Sequence, residues 1–247
     1  MMYAAQHDMK TVRQMKTTVA GGREHGRSPP GVITVLIADD HAIVRQGVRC
    51  LLEAHDDIRV LGEASNGRNA VEMVRDLKPA VVIMDIVMPE LNGIEATGQI
   101  VEIAPHTAVV ILSDLTTSES IFRALKAGAK GYVFKRCTAQ ELERAVRAAY
   151  AGRRYLTPPV TEAMVEGYIG RGGAVEDVSP LDKLSGRERE VLQLLVEGHQ
   201  SADIAQRLSL ADTTVHTYRR RIMDKLGIHS LPGLVRFAIL HGLTPLE

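Results

Sequence analysis

Four apolar residues, Val81 to Met84, run straight into Asp85, and the pairs Met88-Pro89 and Asn92-Gly93 follow closely. A short apolar run bounded by turn residues is the pattern of a strand buried on both faces, as in a parallel sheet. Open parallel sheets bind their ligands outside the carboxyl ends of the strands. The stretch 81–93 therefore presents one carboxylate at the mouth of such a sheet. Asp85 then either binds a metal or accepts a phosphoryl group, or it is a strand-ending residue that caps the next loop. Both readings stand on this stretch alone.

The flanking sequence narrows the fold. VITVLIADD, residues 32–40, reads as a buried strand ending in Asp39-Asp40. A helix follows with Ile43, Val44, Val48, Leu51 and Leu52 at helical spacing. RVLGEA is a second strand, Ser65-Asn66-Gly67 a turn, RNAVEMVRDL a second helix, and Lys78-Pro79 stops it before the strand that delivers Asp85. GIEATGQIVEIA, TAVVILSD, SIFRALKAG, AKGYVFK and AQELERAVRAAYAG continue the alternation, with Thr116 and Glu119 at capping-box spacing. Five strands alternating with helices over 32–152 predict an α/β doubly wound five-stranded parallel sheet, flavodoxin-like in plan. Four strand ends then share one edge of that sheet: Asp39-Asp40, Asp85, Ser113 and Lys135. Three clustered carboxylates repel one another and attract a cation, and an all-oxygen set favours Mg²⁺. Lys135 suits a phosphoryl oxygen and Ser113 supplies a hydroxyl donor.

The segment 33–150 resembles the receiver domain of two-component response regulators. The resemblance rests on Asp39-Asp40, DIVMPELNG from Asp85, Ser113, and KAGAKGYVFK ending at Lys135. It implies that Asp85 accepts a phosphoryl group from a sensor histidine kinase. It also implies that Asp39, Asp40, Asp85 and the Val87 carbonyl hold Mg²⁺, and that Tyr132 is the aromatic residue that reorients with Ser113. Two positions depart from the pattern. Arg136 stands where Pro often follows the lysine, and Asp114 stands where a small or apolar residue is usual. A carboxylate facing a phosphoryl dianion is unfavourable; the alternative is that Asp114 faces solvent.

Residues 153–183 read as a linker, with a short helix after Pro158-Pro159 and a Gly-rich, acidic stretch behind it. The second domain is expected over 184–247 as a small all-α four-helix unit. Ser185 and Glu188 form a capping box before Val191, Leu192, Leu194 and Leu195. SADIAQRLSL supplies the next helix. Val215, Tyr218, Ile222 and Leu226 then give the third helix one buried stripe. This is a helix-turn-helix layout. His216, Thr217 and Arg220 lie off that stripe, with Arg219 and Arg221 flanking them and Thr213 one turn earlier. These are candidate contacts to base edges and phosphates, against the alternative of a basic solvated face. Residues 184–243 resemble a LuxR-type DNA-binding domain through LSGREREVLQLLVEG, DIAQRL and TVHTYRRRIMDKLGI. Ala211 departs from the usual Ser cap of the third helix.

Together the two segments resemble the NarL/FixJ response regulators. The implied protein is a phosphorylation-dependent transcription regulator and not a separate enzyme. Its partners would be promoter DNA, a sensor histidine kinase and a second copy of itself, and its unphosphorylated receiver would cover the recognition helix. Rival readings are an Asp-nucleophile phosphatase, a receiver that only dimerises, and a small-molecule sensor. The first needs a second Asp where Val87 stands, and the third needs a binding pocket in place of the acidic strand ends.

Charge and composition add exclusions. Net charge is zero and no stretch is a polybasic tail, so bulk charge decides nothing about nucleic acid. No apolar run reaches the ~20 residues of a membrane span, and residues 1–31 lack a signal-peptide core and read as a disordered tail. Cys50 and Cys137 match no metal spacing and are expected as buried thiols in a reducing, cytoplasmic setting.

Overall fold

A computed structural model describes residues 31–170 and 179–244. The proposed disorder of the N-terminal tail and most of the Gly-rich linker stretch fall outside the described residues.

The first unit alternates β1 (Ile33–Ala38), α1 (Ala42–Glu53), β2 (Ile58–Ala64), α2 (Gly67–Leu77), β3 (Val81–Met84) and α3 (Gly93–Ile103). It continues with β4 (Ala108–Ser113), α4 (Ser118–Lys126), β5 (Gly131–Phe134), α5 (Ala139–Tyr150), β6 (Tyr155–Leu156) and α6 (Pro158–Gly170). The sheet order is β2-β1-β3-β4-β5-β6, with all pairs parallel. The chain steps outward from β1 to β2 and then back across to β3. The crevice between the carboxyl ends of β1 and β3 is therefore the topological switch point, where ligands of such sheets bind.

Both faces of the sheet are covered, which is why its strands are apolar throughout. Leu36, Val82, Met84, Val109 and Ile111 face α2, α3 and α4 through Val74, Ile94, Ile100 and Ile121. Val35, Ile37, Ile83, Val110 and Val133 face α1 and α5 through Val48, Leu52, Leu142 and Val146. In α1 the buried residues are Val48 and Leu52. Ile43 and Leu51, expected on the same stripe, are exposed.

The sheet has six strands rather than five. Tyr155 and Leu156 pair with Gly131 and Tyr132. Val160 of α6 is fully buried in the core, and Ala163 and Met164 pack against it. Part of the stretch expected as linker is thus built onto the sheet. The cap of α4 also lies one residue later than expected: Thr117, not Thr116, accepts from the Ser120 N–H. Cys50 is exposed and Cys137 half-buried, so neither is the fully buried thiol expected.

The second unit comprises a 3₁₀ turn (Pro180–Lys183), α7 (Gly186–Val196), α8 (Ser201–Leu208), α9 (Asp212–Leu226) and α10 (Leu231–Leu240). Ser185 and Glu188 form the expected capping box. Ala211 leaves α9 with no side-chain cap. Val191, Leu194, Ile204, Leu208, Val215, Ile222, Leu234 and Ala238 make its core. Among the described residues, no helix is long and apolar enough to cross a membrane.

Candidate functional site and the interface between the units

The strand ends meet as the sheet topology dictates. Asp39 and Asp85 are buried, and Lys135 Nζ lies 2.9 Å from Asp39 Oδ2 and 2.7 Å from Asp85 Oδ2. Asp85 Oδ1 accepts the Ile86 N–H at 2.7 Å. Burial pushes the Asp85 carboxyl up to about 6 against the opposing pull of Lys135, and the nearby Asp39 adds to the rise. Burial pulls the Lys135 ammonium down, but its two carboxylate partners more than offset this and it ends above its usual value. Gly93 is required here: a Cβ at that position would lie 1.8 Å from the Asp85 carbonyl oxygen.

Asp39, Asp40, His41 and Asp85 each offer a ligand atom, and these atoms lie within 4.8 Å of one another. Asp39 Oδ2 and Asp40 Oδ1 are buried yet accept no well-formed hydrogen bond. Buried carboxylate oxygens short of donors are costly unless a cation satisfies them, so the residues present fit a divalent ion. His41 was not among the sequence candidates. Its neighbours Asp39-Asp40 were the available signal.

Ser113 is buried, and its Oγ accepts the Leu115 N–H at 3.3 Å. Tyr132 is fully buried and its hydroxyl donates to the Leu115 carbonyl at 2.7 Å. Burial raises the Tyr132 pKa, with Asp85 adding to the effect. Asp114 is exposed, on the rim of an open hollow with Thr116, Phe134 and Arg136. A solvent-facing charge is screened, so Asp114→Ala should leave phosphorylation and dephosphorylation rates within about twofold of wild type. Phosphate-release kinetics check this, and a larger change would place the carboxylate in the pocket.

On α9, Val215 and Ile222 are buried, while Thr213, His216, Thr217, Arg220 and Arg221 are exposed and Arg219 is half-buried. Arg220 is held only loosely, its Nε lying 3.9 Å from Asp224. The structure corrects one implication of the resemblance: the receiver does not cover the recognition helix. It grips α7 instead. The Gln193 side chain donates to the Met88 carbonyl at 2.8 Å and accepts the Asn92 N–H at 2.7 Å, both in buried surroundings. Glu197 accepts from the Glu90 N–H, whose backbone sits at φ 67°. The Asn92 amide donates to the Gly242 carbonyl. Glu95 is shared by Arg123 and Arg189. Leu115 also packs on Gly242, where a Cβ would lie 2.7 Å from Leu115 Cδ1.

Comparison with known proteins agrees with this geometry. Residues 35–147 match the family described as response regulator receiver domain, and residues 182–238 match bacterial regulatory proteins, luxR family. The chain is 38% identical over 208 residues to the oxygen regulatory protein NreC of Staphylococcus carnosus (strain TM300), covering 83% of this chain and 96% of that one. It is 36% identical over 216 residues to the response regulator UvrY of Escherichia coli (strain K12), covering 87% and 98%. Among solved structures it is similar to RcsB from Salmonella enterica serovar Typhimurium bound to promoter rprA, with 26% identity and TM-score 0.56, covering 83% and 98%. The chain belongs to the NarL/FixJ response regulators, phosphorylation-dependent DNA-binding transcriptional regulators with a receiver domain and a LuxR-type helix-turn-helix domain, which are transcription factors rather than classical enzymes.

Proposed function

We propose that Asp85 is the phosphoacceptor and that α9 reads promoter DNA. The observation that carries the first half is a buried carboxylate at the switch point of the sheet, paired with Lys135 and flanked by Asp39 and Asp40. The P–N bond of a phosphohistidine on a sensor kinase breaks as an Asp85 oxygen bonds phosphorus, and the imidazole leaves. Asp39, Asp40, Asp85 and the Val87 carbonyl would hold Mg²⁺, which when bound offsets charge on the phosphoryl oxygens. Lys135 is placed to move from the Asp39–Asp85 pair to a phosphoryl oxygen. Ser113 would turn its hydroxyl to the same group and give up the Leu115 N–H, and Tyr132 would respond through the Leu115 carbonyl that it now holds. The two domains are assigned to 32–170 and 179–247, with the joint between them. The cytoplasm, where the chromosome lies, is the place of action.

The second half rests on the exposed face of α9. Thr217 and Arg220 stand one turn apart on it, with His216 beside them and Thr213 one turn before Thr217, while Arg219 and Arg221 diverge by roughly a hundred degrees each. The first set is placed to read bases and the second to touch phosphates. Likeness to RcsB bound to promoter rprA supports a DNA-binding role for this domain. Two copies bind the operator, because one such domain offers few base contacts. An arginine bidentate to guanine discriminates by about 1–3 kcal/mol, whereas a phosphate contact carries no base information. Arg220→Ala is therefore expected to weaken specific binding by roughly tenfold to a hundredfold and to relax preference at one base per half-site. Arg221→Ala should weaken all sequences about equally and flatten the salt dependence. Randomised-site selection followed by salt titration separates the two. An unchanged motif and affinity in Arg220→Ala would overturn the orientation, and a phosphoryl adduct mapped away from Asp85 would overturn the receiver assignment.

A further inference from the structure

The acidic crevice holds a nitrogen donor that the Mg²⁺ reading does not use. His41 is the residue immediately before α1, and its backbone N–H donates to Asp39 Oδ1 at 2.8 Å. The loop beneath it is pinned, because Arg45 donates to the carbonyls of both Asp39 and Asp40. The imidazole Nδ1 lies 2.7 Å from Asp40 Oδ1 and 3.3 Å from Asp39 Oδ1. The shorter contact is not a well-formed hydrogen bond: Asp40 Oδ1 is buried and lacks one. Adjacent donors on one octahedral ion, each about 2.1 Å from it, stand roughly 3 Å apart. The imidazole nitrogen stands at about that spacing from each of the two carboxylate oxygens. Asp39, whose side chain is 3% exposed, directs a second oxygen, Oδ2, into the same crevice, where Lys135 Nζ is its near neighbour.

Building on the acidic-site reading above, we propose that His41 is a metal ligand of this receiver, and that it shifts the site's preference from Mg²⁺ towards borderline divalent ions such as Mn²⁺ and Co²⁺. Mg²⁺ binds oxygen and keeps its waters, so it gains little from an imidazole. Transition ions bind imidazole well, and their order of affinity for a mixed nitrogen–oxygen set rises from Mn²⁺ to Co²⁺. His41 is largely exposed, so its ring can turn the short distance onto an ion without disturbing the core.

The test uses the full chain loaded with each ion alone. Pulsed electron paramagnetic resonance of the Mn²⁺-loaded wild type should show coupling to an imidazole nitrogen, lost in His41→Ala and in Asp40→Ala. Binding titrations should show Co²⁺ affinity falling about tenfold in His41→Ala while Mg²⁺ affinity changes less than about twofold. His41→Gln, which keeps polarity without the imidazole, should behave as His41→Ala. Nitrogen coupling that persists in His41→Ala belongs to another histidine and overturns the proposal. So does an equal loss of affinity for all three ions, which would mean a general electrostatic role. If the wild type binds Mg²⁺ and Mn²⁺ without any nitrogen coupling, the proposal fails and the acidic site stands. If no divalent ion binds, or if binding survives Asp85→Asn together with Asp39→Ala, the acidic-site reading fails as well.

Discussion

Asp85→Asn is expected to abolish the phosphoryl adduct formed by phosphoramidate and Mg²⁺, an all-or-none effect in intact-mass spectra. The wild type should gain one phosphoryl group. An amide nitrogen is no substitute for the carboxylate nucleophile, and the neighbouring acids Asp39 and Asp40 both follow the end of β1, across the crevice from the end of β3. The substitution is nearly isosteric and keeps the buried position, so the fold should survive, which far-ultraviolet circular dichroism verifies. A pH dependence follows from the same geometry. Burial raises the Asp85 carboxyl to about 6 without a bound ion. The nucleophile is the ionised form, so the rate should fall as pH drops through the carboxyl's pKa. A divalent ion favours the carboxylate, so more Mg²⁺ should move the midpoint below 6, and chelation should suppress the adduct. An adduct that persists in Asp85→Asn, or a rate that rises as pH falls from 7 to 5, would remove Asp85 from the acceptor role.

The parts of this site visible in the sequence were those carried by strands. An apolar run that ends in Asp needs no tertiary information, and the alternation of strands and helices fixes which ends share an edge. That expectation puts Asp39, Asp85, Ser113 and Lys135 at one edge; the structure pairs Lys135 with Asp39 and Asp85, and the Ser113 carbonyl accepts the Lys135 N–H. His41 was missed because its role depends on the turn of one ring at a helix start, which no periodicity reports. β6 was missed because two residues cannot show an alternating pattern. α6 was expected as a short helix, but nothing in its sequence announced that Val160 is buried under the sheet edge. On α1 the helical spacing was right and the stripe too wide, since Ile43 lies beyond the sheet's cover at 77% exposure. The grip on α7 was the least legible feature. Glu190 and Gln193 are polar positions among the apolar ones of an amphipathic helix, and they are buried against the receiver. Polar residues that meet a partner surface look, in one dimension, like polar residues that meet water.

Loosening that grip is the second large effect expected. Gln193→Ala removes a donor to Met88 and an acceptor for Asn92, leaving a buried carbonyl and a buried N–H without partners. Each unsatisfied group costs about 1–3 kcal/mol, so docking of the two units should weaken by tenfold or more even with some water entry. The consequence is local and readable. The Asn92 and Glu90 amides are held by Gln193 and Glu197 across the interface, and their hydrogen exchange should accelerate at least about tenfold in the variant. Amides of β1 and β3 should keep their wild-type rates. The contact is close to the chemistry on two sides. The loop from Asp85 to Asn92 is closed by the Gly93 N–H donating to the Ile86 carbonyl. The loop after Ser113 places Leu115 on Gly242, whose carbonyl receives the Asn92 amide. A phosphoryl group that drew Ser113 and Lys135 towards Asp85 would shift both loops against one patch of the helix-turn-helix domain. That is a two-state element biased by a local charge change. Phosphorylated wild type should therefore reproduce the Asn92 exchange of Gln193→Ala. Because α9 is already exposed in the docked state, undocking should change how two copies are arranged on DNA more than it uncovers the reading face. Unchanged Asn92 protection in Gln193→Ala would show that the two units are held together elsewhere, by the Glu95–Arg189 pair.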